Sequence, residues 1–493
     1  MTGLAAAAAV AAITLDPSAM PSVGTVDPHF QSYNIEMVEL TGGRFWRDYR
    51  LLGPIRTPED RYGYRPPIDL GNKRLRQLAR ALGPAYVRVS GTWANTSYYA
   101  GRSNAARPAG FAQTLTHRQL RGLADYLRHT GGSLVTSFAG SAGTRDAAGR
   151  WQPDQMKLFL RDAAALGIRV VGAEFVNEPN LIAATGAPDG YTPADWGRDH
   201  DLFVREFRTA APGALVLGPG SVGDGTLTER AAAAAGVKLL PSDRLLAAQR
   251  APIDVLSYHY YGGVSERCAT SGPLAVNEAQ ALDPDWLARS DRALSMYRVL
   301  RDTHASGRPI WLTETAQAAC GGSRWASGFR DTPRYVDQLG RLARQGVQVV
   351  MHNTLAVGEY ALLDNDSFAP RPNYWAALLW SRLMGERVLN VPQADPLLRL
   401  YAHCLKGQPG GVGMVAINLA TQPRLFGAGG KASVLTLTGS SDLRQALVNG
   451  RPLALGPGDR MPSMQPLAVD GTVTVPGGAI AFLAVPAANP ACR

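Results

Sequence analysis

Between residues 27 and 392 the chain alternates short apolar runs with longer amphipathic stretches, and few folds accommodate that pattern over such a length. The apolar runs end at Glu36, Gly91, Gly140, Glu178, Ser221, Tyr261, Thr315 and Thr354. Runs such as Ala85-Tyr-Val-Arg-Val-Ser90 and Val347-Gln-Val-Val-Met351 are almost wholly apolar, as parallel strands covered on both faces must be. Helical spacing fills the intervals over Asn72–Leu82, Arg118–His129, Gln155–Leu166, Asp195–Thr209, Trp286–His304 and Tyr335–Gln345, and Asn373–Met384 supplies a helix after the last run. Eight such units predict an α/β fold, a (β/α)8 barrel with enlarged loops.

From about Asp395 the helical spacing stops. Short β-rich runs follow at Leu398–Cys404, Gly413–Asn418, Ser433–Thr438 and Ala479–Val485, separated by Gly- and Pro-rich turns. They predict an antiparallel β-sandwich domain over 393–493. The N-terminal segment 1–26 contains a strand-like piece, Ile13–Val26, expected to complete that sandwich from the other end of the chain. Residues 4–13 resemble the apolar region of a signal peptide. The first basic residue is Arg44, so the charged stretch expected before such a region is missing, and a trimmed or re-engineered leader is the simplest account.

Composition excludes several classes. With 45% hydrophobic and 18% charged residues, the chain can bury a large core and is not intrinsically disordered. Its longest uncharged apolar stretch, Leu4 to Ile13, is too short to cross a bilayer, so no membrane span is expected. The formal net charge of +10 is carried by 45 Arg and 5 Lys, and Arg44 to Arg80 holds ten basic residues against four acidic ones. Such a patch suits an acidic partner, although a chain-wide preference for Arg accounts for it equally well. No helix-turn-helix, zinc-finger or RNA-binding signature is present, so nucleic acid is not an expected partner. The four cysteines, Cys268, Cys320, Cys404 and Cys492, form no CxxC pair; an even number, widely spaced, fits two disulfides and an oxidising compartment. No metal-ligand spacing and no GxSxG elbow occurs, and neither a metal nor another cofactor is expected.

Barrels of this kind present their reacting groups at strand C-termini. Glu178 closes Val170-Val-Gly-Ala-Glu-Phe-Val-Asn-Glu-Pro179, the fourth run, and Glu314 closes Pro309-Ile-Trp-Leu-Thr-Glu314, the seventh. Strands four and seven face each other across an eight-stranded ring. Two carboxyl groups so placed are what glycosidic cleavage needs: one protonates the leaving oxygen, and the other attacks the anomeric carbon or activates water. A lone glutamate at a strand end is ordinarily a solvated surface acid; two at one rim, each after an apolar run, point to chemistry. In Asn177-Glu178-Pro179, Pro stops the strand and Asn can bond a sugar hydroxyl. The cluster Tyr258-His-Tyr-Tyr261 ends the sixth run, where a phenol can orient Glu314, and His259 serves core packing as readily as the site.

These segments resemble glycoside hydrolase family 79. Glu174-Phe-Val-Asn-Glu-Pro-Asn180 is similar to the family's acid/base segment, and Trp311-Leu-Thr-Glu-Thr315 with Gly321-Gly322 to its nucleophile segment. Gly358-Glu-Tyr-Ala-Leu-Leu-Asp364, Asn373-Tyr-Trp375 and Leu400-Tyr-Ala-His-Cys404 continue the likeness. The resemblance implies a retaining endo- or exo-β-glucuronidase acting by double displacement on heparan-sulfate-like glycans or glucuronides. Glu178 is then the acid/base and Glu314 the nucleophile. Glu36 and Asn353 contact sugar hydroxyls, Asn177 the hydroxyl beside the anomeric carbon, and Tyr260 orients the nucleophile. Tyr360 and the amides around Gly321 and Gly322 take the uronic carboxylate, and Cys404 pairs with Cys492. Cys268 and Cys320 are expected to pair as well, since their loops follow neighbouring strands six and seven.

Two departures qualify the likeness. Ala319 stands where the family has a tyrosine five residues after the nucleophile, which keeps alive a barrel glycosidase for a neutral sugar, of xylosidase or arabinofuranosidase type. The segment Gly101–Thr116 is too short for an excised linker, so activation by cleavage into two chains is not expected. A non-catalytic glycan-binding protein is the third reading, disfavoured by the presence of both glutamates. The leading expectation is a secreted or periplasmic monomer.

Overall fold

In the computed structural model, which describes residues 13–224 and 238–493, eight parallel strands close into a barrel. They are β1 (Gln31–Glu36), β2 (Tyr86–Ser90), β3 (Ser133–Ser137), β4 (Val170–Glu174), β5 (Leu215–Val222), β6 (Val255–Tyr261), β7 (Ile310–Ala316) and β8 (Val349–His352). The principal helices behind them are α1 (Lys73–Ala81), α2 (His117–Thr130), α3 (Asp154–Ala165), α4 (Pro193–Ala210), α5 (Ser242–Ala248), α6 (Arg289–His304), α7 (Thr332–Arg344) and α8 (Pro372–Leu383). Helix starts follow local chemistry. Thr116 and Gln119 satisfy each other's backbone amides at the head of α2, as Thr192 and Asp195 do for α4. The expected helix Trp286–His304 is divided into a short turn, Pro284–Leu287, and α6.

The strand ends at Glu36 and Tyr261 fall where expected and the other six are displaced by one to four residues; two of these bear on the site. β4 stops at Glu174, so Glu178 lies four residues beyond the strand; β7 runs on to Ala316, so Glu314 is inside it. The apolar character of Phe175 and Val176 comes from burial of the following loop, not from ladder pairing.

Side chains alternate between the helices and the barrel axis, with period two. On β6, Leu256 and Tyr258 pack outward into the main core, while Val255 joins Val135, Leu217, Trp311, Val349 and Met351 in a separate apolar cluster that fills the barrel floor. Inward positions nearer the strand C-termini are polar: Arg88, Glu174, His259 and Glu314 are all buried.

Past α8 the chain enters an antiparallel sheet: β9 (Met384–Leu389), β10 (Leu398–Leu405), β11 (Val412–Asn418), β12 (Arg424–Gly439), β13 (Ala446–Val448), β14 (Arg451–Pro452), β15 (Leu467–Val475) and β16 (Ile480–Val485). The sheet therefore starts at Met384, ahead of the expected boundary at 393, because β9 follows α8 without a linker. It is one nine-stranded sheet, not two separate ones. The long β12 slips register between Gly427 and Lys431, and Phe426, Leu400, Met414, Val473 and Leu483 share a single buried core. Ser22–Thr25 pairs with β9, so the N-terminal piece joins the sheet as expected. Residues 1–12, which include most of the signal-like stretch, lie outside the described residues. Tyr401 carries the sheet onto α7, where its hydroxyl donates to Asp337 at 2.6 Å.

Candidate active site

The two glutamates reach one another by different routes. Glu314 projects inward from β7. Glu178 sits in the β4 loop with φ of +48°, a left-handed conformation costly for a residue bearing a Cβ; Asn95 stabilises it from the side by accepting from the Asn177 amide at 2.8 Å and donating to the Asn177 carbonyl at 2.9 Å. One oxygen of each carboxylate and a ring nitrogen of His259 lie within 4.8 Å of one another.

Arg88, projecting inward from β2, is the hub beneath them. Its guanidinium donates to Glu314 Oε2 at 2.8 Å, to Glu174 Oε2 at 2.8 Å and to Asn177 Oδ1 at 2.8 Å, and it lies 3.1 Å from His259 Nε2. Thr313 completes the partners of Glu174 with a 2.7 Å bond to Oε1. His259 Nδ1 lies 3.1 Å from Glu178 Oε1. Each group shifts for an identifiable reason. Burial raises Glu178, and Glu314 adds to the shift, against the pull of His259 and Arg88. Burial also opposes ionisation of Glu314, but His259, Arg88 and the Tyr261 hydroxyl prevail and hold it below its ordinary value. Glu174 is held well below the usual carboxylate range, since Arg88 and His259 outweigh its desolvation. His259 is pushed up to about 9: burial works against its charge, and the surrounding carboxylates win. The site thus holds one carboxyl biased toward its acid form beside one biased toward carboxylate. A cluster of two carboxylates and a histidine also has the donors of a small cation site, but Arg88 and His259 already supply the positive charge it needs.

The expected residues fall out as follows. Asn177, Glu36, Asn353 and Tyr360 surround the pair: Asn353 Nδ2 donates to Glu36 Oε1 at 3.0 Å and to the Tyr360 oxygen at 3.3 Å. Among the described residues, Asn177 Nδ2, Glu36 Oε2 and Asn353 Oδ1 are buried here without a hydrogen-bond partner. Buried groups are rarely left so, and a polyhydroxylated ligand would satisfy them. Gly91 makes room for the Glu36 carboxylate: with φ of +87°, a Cβ on it would sit 1.6 Å from Glu36 Oε2. Tyr260 is not among these residues. It occupies an outward position against the core between barrel and helices, and its neighbour Tyr261 points inward and donates to Glu314 Oε1 at 2.7 Å. Alternation along β6 decides between them, because Tyr261 shares the face of Val255 and His259. Gly321 and Gly322 lie on the loop after β7, with Gly322 packed against Tyr360. The Ala319 backbone pairs with Gly263 and Ser265, and its side chain brings no donor.

Both cysteine pairs are joined, Cys268 to Cys320 and Cys404 to Cys492. Part of the basic excess of Arg44–Arg80 is met by acidic partners: Arg44 pairs with Glu59, Arg50 with Asp48 and Asp366, Arg74 with Asp459, and Arg76 with Asp125. Sequence reading passed over Arg88 and Glu174, although a lone charge inside an otherwise apolar buried strand is itself a signal.

No protein-family model matches the chain. Among solved structures, it is similar to a 4-O-α-L-rhamnosyl-β-D-glucuronidase from Fusarium oxysporum 12S (13% identity, TM-score 0.63, 96% of this chain and 99% of that one). An α-L-arabinofuranosidase from Thermotoga maritima is as similar in fold (15%, TM-score 0.63, 96% and 99%). Among curated sequences, heparanase-like protein 1 of Arabidopsis thaliana is 37% identical over 173 residues, 34% of this chain and 30% of the relative. Mouse (Mus musculus) heparanase is 26% identical over 491 residues, 84% and 86% of the two chains, and hyaluronoglucuronidase of the leech Hirudo nipponia is 24% identical over 373 residues, 69% and 71%. The matched stretch spans about a third of the Arabidopsis relative's length and most of the mouse one's. The class this points to is the glycoside hydrolases: the closed parallel barrel with an appended antiparallel sheet is the fold of those solved structures, and the curated relatives are named heparanase and hyaluronoglucuronidase. Within that class the chain is similar to heparanases and heparanase-like proteins, in line with the resemblance of its motifs to glycoside hydrolase family 79.

Proposed function

We propose that the protein is a retaining β-glucuronidase, hydrolysing β-linked glucuronic acid in heparan-sulfate-like glycans or smaller glucuronides. The observation that carries the reading is the carboxyl pair, with oxygens within 4.8 Å of each other and acidities biased in opposite directions. Inversion needs about 6.5–9.5 Å between carboxyl groups to admit a water; retention uses about 5–5.5 Å. Glu178 gives its proton to the glycosidic oxygen while Glu314 attacks the anomeric carbon, breaking the bond to the leaving group and forming a glycosyl ester. Glu178, now ionised, takes a proton from water, which displaces Glu314 and restores both groups. Arg88 and Tyr261 each bond one oxygen of Glu314, fixing the carboxylate plane before attack.

A glucuronide is supported by the names of the mouse and leech relatives and by Tyr360 beside the Gly321–Gly322 loop. Neutral donors bind a carboxylate there without burying an unpaired cation. Two disulfides support export to an oxidising compartment, where the enzyme acts as a monomer. Among the described residues no helix is long and apolar enough to cross a membrane. The test is hydrolysis of an aryl β-glucuronide beside the matching β-glucoside and β-xyloside, with Glu314→Gln as control and the first-formed anomer read by NMR. Glucuronide cleavage that yields the β-anomer and vanishes in the variant is expected. Ala319 favours the one competing reading, and cleavage of a neutral glycoside alone would establish it.

A further inference from the structure

Three successive residues on the loop after β7 adopt left-handed backbone: Cys320 (φ +62°), Gly321 (+79°) and Gly322 (+80°). Consecutive amides in such a turn converge into a concavity that suits an anion. The amides of Gly321 and Gly322 donate to no atom among the described residues. Neither residue has room for a side chain: a Cβ on Gly321 would lie 2.7 Å from Trp46 Cβ, and one on Gly322 would lie 2.9 Å from the Tyr360 nitrogen.

The carbonyls of this turn, in contrast, are all held. Arg267 Nη1 donates to the Cys320 carbonyl at 3.1 Å and to the Gly322 carbonyl at 2.8 Å. Ser265 Oγ adds a 2.8 Å bond to Cys320, and the Glu359 amide bonds the Gly321 carbonyl at 2.8 Å. Arg267 is 2% exposed, lies 3.7 Å above the Tyr49 ring and anchors its Nε on the Arg47 carbonyl at 2.9 Å. The next residue, Cys268, is covalently joined to Cys320. One dipeptide therefore grips the turn twice, by a guanidinium and by a disulfide.

We infer that Arg267 and the Cys268–Cys320 bond are positioning elements that aim the Gly321 and Gly322 amides at the substrate carboxylate, so that preference for acidic over neutral sugars depends on them. The inference rests on the glucuronide reading above. It also explains how the chain does without a tyrosine at position 319: the donors it keeps are backbone amides, and these are fixed from behind.

The experiment compares wild type, Arg267→Lys and the double variant Cys268→Ser with Cys320→Ser on an aryl β-glucuronide and the matching β-glucoside. Inhibition constants for D-glucuronate and D-glucose carry the same comparison where the glucoside is not turned over. In both variants the glucuronide KM and the glucuronate inhibition constant are expected to rise roughly tenfold, the weight of one charge-assisted hydrogen bond. Its kcat and all neutral-sugar constants should stay within about twofold on the same scale. Lysine keeps the charge but loses the Nε anchor on the Arg47 carbonyl and the planar stack on Tyr49 that hold Nη1 between the two carbonyls, so Arg267→Lys serves even if the double variant fails to fold. Equal losses with acid and neutral sugar, or no change, overturn the inference. A wild type without preference for glucuronide overturns the glucuronide reading and the inference together; a wild type with the preference and variants that retain it overturn the inference alone.

Discussion

The barrel interior has two layers built within one ring of strands by opposite rules. On the floor, Val135, Leu217, Val255, Trp311, Val349 and Met351 pack without a polar atom to satisfy apart from the indole nitrogen. Above it, a few residues further along β2, β4, β6 and β7, Arg88, Glu174, His259 and Glu314 crowd together in equal isolation from water. The floor is held by dispersion and exclusion of water. The upper layer is held by charge balance and collapses if one partner leaves. Two strands supply both, β6 with Val255 below and His259 above and β7 with Trp311 below and Glu314 above, so the layers share a frame but answer to different perturbations.

The sharpest separation comes from Glu314→Gln. It should lower kcat on the aryl glucuronide by about 10⁴-fold or more, with a smaller loss of stability than Arg88→Met, because glutamine keeps the shape and Glu174 still balances Arg88. Arg88→Met should affect both properties. Removing one cation strands Glu174 and Glu314 in a buried site, at a cost of about 3–5 kcal/mol in denaturant melts, with kcat reduced as well. On the floor, Val349→Ala should cost about 2 kcal/mol through lost burial and a residual cavity, with kcat of the folded enzyme unaltered. A kinetic defect from that substitution would show that the layers are not independent. Tyr261→Phe removes a single bond to Glu314 and should slow turnover roughly tenfold, whereas Tyr260→Phe should not; equal effects would refute the assignment by strand face.

Proton binding divides the layers too. The acid limb of kcat/KM should report Glu314 and fall below the ordinary carboxylate range. The alkaline limb should report Glu178, displaced above it. His259 binds its proton more tightly folded than unfolded, so its contribution to stability is complete below its ordinary 6.5 and is lost as the pH rises through about 9. Thermal melts across that window should show the decline in wild type and a flatter profile in His259→Gln.

Much of the frame was legible in the sequence because burial on both faces writes itself as apolar runs, which is how β2 and β8 could be placed. The paired glutamates were legible for the same reason, each ending an apolar stretch. Strand parity was harder: Tyr260 and Tyr261 are identical neighbours, and only a fixed inward residue such as Val255 tells which one enters the barrel. Glu178 was placed on a strand because Phe175 and Val176 are buried like strand residues although they belong to a loop. Arg88 escaped notice since its partners lie 86, 89, 171 and 226 residues away in the chain, a proximity that barrel closure creates and spacing does not reveal.

The pairing of Ser22–Thr25 with β9 sets an order on biosynthesis. Roughly 360 residues separate the two strands, so the first waits some 20–70 s at ordinary rates of chain growth before its partner emerges. Asn489 then fastens the same segment, donating to the carbonyls of Pro17 and Met20. The earliest described residues are thus among the last to find their places, and the seam where they meet the sheet closes only when the barrel between them has been made.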